Sequence, residues 1–158
     1  MTVSGTFTAD EWEQILEAPR WVVAGASAAQ VDTAYRTGQE TQQGFIAIAH
    51  GRDLGNPLVS AVAEEYLQNR RRLDLTFVDR AAGLDAVIER VAATVVLLAA
   101  KADGGDAVAY GRWLANITDA VIAAATSGIR GPLVTEAEKS FRDRVRQAVK
   151  AALAPPPA

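Results

Sequence analysis

The chain has one histidine and no cysteine, so side chains able to do acid–base, nucleophilic or metal chemistry are few. His50 could act as a base near neutral pH, but no nucleophile or orienting carboxylate stands in a recognisable motif with it. The di-iron pattern of helical bundles places glutamate three residues before histidine, and that position here is Ala47. His50 therefore reads as a helix-end residue facing the last carbonyls, where the helix dipole favours it. Carboxylates come in near-adjacent sets: Glu64 with Glu65, Asp103 with Asp106, and Glu136 with Glu138. Asp103 and Asp106 flank a glycine turn and are the only candidate cation ligands, yet they supply fewer oxygens than an EF-hand loop. Neither a bound metal nor a cofactor is expected. The expectation is also that the chain is not an enzyme.

Three further stretches could bind rather than react. Arg70-Arg71-Arg72 suits phosphate or an acidic partner, or is simply the solvated, dipole-compensating end of a helix. Gly51 to Gly55 lacks the lysine and hydroxyl of a phosphate loop and follows no strand. The stretch Gly38-Gln39-Glu40-Thr41-Gln42-Gln43-Gly44 is the least usual, because each helix glycine costs about 1 kcal/mol relative to alanine. It has two readings. Its glycines could admit Trp21 or Trp113 into a semi-exposed helix. Alternatively Gln39, Gln42 and Gln43, with Tyr35 and Phe45, line a pocket or protein interface.

The elements that must position these residues are helical. Thr8 with Glu11 and Thr135 with Glu138 are capping boxes, and Phe7 with Trp12 has the spacing of a hydrophobic staple. A first helix is expected over about 9–28, kinked near Glu17-Ala18 or split in two by Pro19. A second covers about 31–50, its thin apolar face carried by Val31, Tyr35, Phe45, Ile46 and Ala49. Asn56-Pro57 starts a third. The region 73–83 reads as a connection. A fourth helix, about 84–101, is apolar nearly all round and so is expected at the centre. A fifth spans about 106–126 and a sixth about 136–153. The expected fold is all-α, an irregular or orthogonal bundle of five to seven helices in one domain over 1–153, followed by a disordered proline-rich tail over 154–158.

Composition narrows the partners. At 158 residues the chain can bury one sizeable core without disulfides. Its 16 Lys and Arg are outnumbered by 19 Asp and Glu, which argues against nucleic acid. The apolar run Val91–Ala100 falls well short of the roughly 20 residues that span a bilayer, so no membrane insertion is expected. The first ten residues are polar and lack the features of a signal peptide, which favours the cytoplasm.

Ala99-Ala100-Lys101-Ala102-Asp103-Gly104 resembles the TerB-like family of small all-helical bacterial proteins, associated with tellurite resistance and stress. Ala123-Ala124-Ala125-Thr126-Ser127-Gly128, followed by Val134-Thr135-Glu136-Ala137-Glu138, looks like a second copy of the pattern. The stretch from Tyr110 and Trp113 through Glu138 is also similar to small bacterial helical proteins of uncharacterised activity. The resemblance implies a helical architecture and, through Asp103 and Asp106, an acidic metal site; Ser127 departs from it, where an aspartate would be expected. The leading functional expectation is a non-enzymatic module that binds a protein partner, a second copy of itself included. A bundle that binds a small ligand, or a TerB-like metal module, are the alternatives.

Overall fold

A computed structural model describes residues 4–30, 34–124 and 134–155, with side chains in the second helix described from Gly38 onward. The described residues form six α-helices: α1 (Ala9–Ala28), α2 (Ala34–His50), α3 (Pro57–Gln68), α4 (Arg80–Lys101), α5 (Gly104–Ala124) and α6 (Glu136–Leu153). Single 3₁₀ turns occupy Ser4–Thr6 and Gly51–Asp53. The fold is an all-α bundle, and no strand occurs among the described residues. Val31, the expected start of the second helix, lies outside the described residues, as do 125–133 and 156–158.

The helix starts follow from side chains that satisfy the orphan N–H groups of a first turn. Thr8 Oγ1 accepts from Glu11 N at 3.2 Å while Glu11 Oε2 accepts from Thr8 N at 2.9 Å. The same pair of bonds joins Thr135 and Glu138, at 3.1 and 3.0 Å. Phe7 stacks on Trp12 with ring centroids 6.1 Å apart, closing the staple. Asn56 Oδ1 accepts from Val59 N at 3.0 Å, with Pro57 at the first helical position.

One connected cluster of buried side chains draws on all six helices, from Ile15 and Val22 through Ile48, Val59, Val91 and Ile117 to Phe141. At its centre are α1 and α5, each of which packs against every other α-helix. The expectation that the fourth helix is central is therefore corrected. α4 packs on α1, α5 and α6, and leaves Val96, Ala99 and Ala100 exposed. Its apolar run is rich in alanine, which is cheap to leave in water, whereas α5 buries Tyr110, Trp113, Leu114 and Ile117.

α1 continues as one helix through the buried Pro19 and is not split. Proline has no N–H to give the carbonyl four residues back, and here that carbonyl belongs to Ile15. Tyr110 Oη donates to it from α5 at 2.6 Å. Tyr66 Oη, from α3, donates to the next carbonyl, that of Leu16, and the main-chain N–H of Arg20 faces the same hydroxyl. Tyr110 thus replaces the one hydrogen bond that proline removes, and Tyr66 inserts at the next step of the ladder. Burial pushes both phenols well above their ordinary value, so both stay protonated as donors.

α3 ends at Gln68, earlier than the arginine run suggests, because Arg70 adopts a left-handed conformation (φ 51°) just past the Asn69 cap. The arginines therefore leave the helix and begin the connection. Arg71 turns inward, pairing with Glu17 Oε1 at 2.8 Å and with Glu13. α4 starts at Arg80, four residues before the expected Leu84. Asp79 caps it, accepting from Ala82 N at 2.9 Å. Gly83 lies inside this first part because the Phe77 ring rests on it: an added Cβ would sit 2.2 Å from Phe77 Cγ.

Candidate interaction surface

Helical spacing gives α2 an inner and an outer face. Glu40, Gly44 and Ile48, four residues apart, are buried, whereas Gln42, Gln43, Phe45 and Ile46 are exposed and Gln39 is half-buried. This corrects the expected apolar face: Phe45 and Ile46 are each a little over a third exposed, at 37% and 38%, and Ala49 is half-buried, so none of the three is part of the buried stripe. The inner stripe contains a glycine and a carboxylate, residue types that a hydrophobic pattern does not flag.

The glycines have different roles. An added Cβ at Gly44 would stand 2.8 Å from both Val23 methyls and 3.1 Å from a Val121 methyl, so α2 is held close to α1 and α5 there. Gly38 faces open space, with nothing within 4 Å of an added Cβ. Neither glycine admits a tryptophan. Trp113 instead packs on Gly51 and donates from Nε1 to the Ala47 carbonyl at 3.3 Å. Trp21 lies beside Phe77 with the Arg90 guanidinium 4.2 Å above its ring.

The three glutamines are brought together. Gln39, Gln42 and Gln43 line a surface hollow of about 360 Å³ whose other wall is Ala120, Ala123 and Ala124 of α5. Phe45 is not in that hollow and stands beside it on the outer face, next to Ile46. Tyr35 belongs to α2, but its side chain lies outside the described residues. Ile46, which the sequence assigns to the core, is the surface residue that pattern reading misses. Between Gly38 and Ala49 the only ionisable residue is Glu40, and it is 2% exposed. The outer face is therefore uncharged, made of amides, small residues and an adjacent apolar pair.

The other candidates are held in structural roles. Asp106 is buried, and its Oδ1 accepts from Asn56 Nδ2 at 2.8 Å, tying the start of α5 to the cap of α3. Asp103 is exposed, and its main-chain carbonyl accepts from the N–H groups of Asp106 and Ala107. Among the described residues no three His, Asp or Glu side chains are grouped to hold a metal. Ser127 lies outside the described residues. Glu64 and Glu65 accept from Gln68 and Asn69, one turn on. His50 ends α2 with an exposed side chain. No helix among the described residues is long and apolar enough to cross a membrane.

Comparison with protein-family models, with curated proteins and with solved structures finds no match in any of the three.

Proposed function

We propose that the protein is a non-enzymatic interaction module of the cytoplasm that associates through the outer face of α2, with a second copy of itself as partner. One observation carries the reading: this face exposes Phe45 and Ile46 side by side and no charge from Gly38 to Ala49. Exposed helix faces are ordinarily charged, and depletion of charge around apolar residues marks the core of an interface. In a two-fold dimer the same patch meets itself, so any charge near the axis would face its own copy. Amides avoid that conflict, because each carboxamide both donates and accepts.

Sedimentation equilibrium tests the proposal through charge. Ile46→Glu and Ile46→Lys are each expected to be monomeric, because each places a like pair across the axis. An equimolar mixture of the two is expected to recover the dimer. A wild-type protein that stays monomeric at about 0.1 mM, or a mixture that does not associate, would overturn the reading.

A second reading, a small polar ligand, is favoured by the hollow itself, since about 360 Å³ lies at the lower end of ligand-site volumes. Native mass spectrometry separates the two. A monomer carrying a bound small molecule, displaced in Gln39→Ala with Gln42→Ala, supports the ligand; an unliganded dimer supports self-association.

A further inference from the structure

The connection between α3 and α4 carries a second and separate surface. From Arg71 to Phe77 the chain has no helix, turn or bend, and burial alternates: Leu73, Leu75 and Phe77 turn inward while Asp74, Thr76 and Val78 are exposed. A two-residue alternation is the signature of extended chain. Among the described residues, Leu73–Val78 makes no backbone–backbone hydrogen bond. The one main-chain contact is the Asp74 carbonyl, which accepts from the Arg20 guanidinium. The segment is therefore extended chain outside any sheet, its main-chain groups other than the Asp74 carbonyl unpaired among the described residues.

A groove of about 400 Å³ runs beside it, bounded by Leu73, Leu75 and Phe77 on one side and by Val23, Ala24 and Ala28 of α1 on the other. An extended edge facing a helix across an apolar groove is the arrangement that accepts a peptide by strand addition: main-chain bonds hold it, and alternate side chains fill the groove. Charge selects the peptide. Arg70 is exposed just before the segment and Arg80 lines the groove at its far end, whereas Arg72 is paired with Asp74 at 3.0 Å. We propose that this groove binds an extended peptide of alternating apolar residues flanked by acidic ones, paired through its main chain to Leu73–Phe77.

Calorimetry with the intact protein tests this, using acetyl-Glu-Glu-Val-Thr-Val-Thr-Val-Glu-Glu-amide as probe. Two control peptides carry N-methyl groups, on the valines in one and on the threonines in the other, so that each blocks one edge of the peptide strand. The parent peptide is expected to bind, and one of the two controls to bind at least tenfold more weakly. Replacing the glutamates by lysines is expected to weaken binding by a similar factor. Ser27→Trp, which fills the groove from α1, is expected to abolish binding with the helical circular dichroism retained. Ile46→Glu is expected to bind the peptide as the parent protein does, which keeps this surface distinct from that of α2. Equal binding by both N-methylated peptides, undiminished binding to Ser27→Trp, or no binding at about 1 mM peptide would overturn the proposal. A dimer that Ser27→Trp disperses, with no peptide bound, would put a second copy in the groove and overturn it as well.

Discussion

At the scale of single residues, the least replaceable polar contacts are those that compensate Pro19. Tyr110 gives the Ile15 carbonyl the hydrogen bond that proline cannot, inside a fully buried environment. Tyr110→Phe is expected to cost about 1–3 kcal/mol in urea unfolding, because it leaves a buried acceptor unsatisfied. Pro19→Ala restores an N–H four residues after Ile15, so the cost of Tyr110→Phe should fall in that background. A double-mutant cycle reads this coupling, and strict additivity would show that the hydroxyl serves some other purpose. The sequence displays Pro19 and the strain it brings, but not its remedy, since Tyr66 and Tyr110 come from other helices. Asp106 is similar. Its type suggests a cation ligand, whereas its position against the Asn56 amide makes it a strut between two helix starts.

At the scale of elements, legibility depends on whether the deciding contact is local. Both capping boxes, the Phe7–Trp12 staple and the Asn56-Pro57 start can be read directly, because each is completed within a few residues. The start of α4 is not legible: Gly83 looks like a breaker until Phe77 is seen resting on it. In α2, two glycines of identical type have opposite surroundings. Gly38→Ala should raise stability by up to about 1 kcal/mol, since it gains helix propensity in open space. Gly44→Ala should lower it by about 1–3 kcal/mol, since its methyl would press on Val23 and Val121. Thermal unfolding of the two variants checks the register of α2; shifts of the same sign would mean that its inner face is misassigned. That register is also what turns Gln42, Phe45 and Ile46 outward.

At the scale of the whole molecule, the all-α class is legible because capped amphipathic segments account for nearly the whole chain. The centre of the bundle is not, since hydrophobicity alone ranks the alanine-rich α4 with the bulkier α5, and only packing separates them. The candidate surface is partly legible. The glutamines stand out by type and do share a hollow, but the outward Phe45 and Ile46 follow only from the observed register. A self-associating α2 face is the central claim, and the absence of native cysteine allows a direct measurement of it. Gln42 lies one turn from Ile46 on the outer face, next to the two-fold axis proposed there, so its own copy comes within reach. Disulfide formation requires Cα atoms within about 7 Å. Under mild oxidation Gln42→Cys is expected to form a covalent dimer rapidly, whereas Ala99→Cys, exposed on α4, remains monomeric. Equal rates for the two variants, or a faster reaction at position 99, would contradict the account.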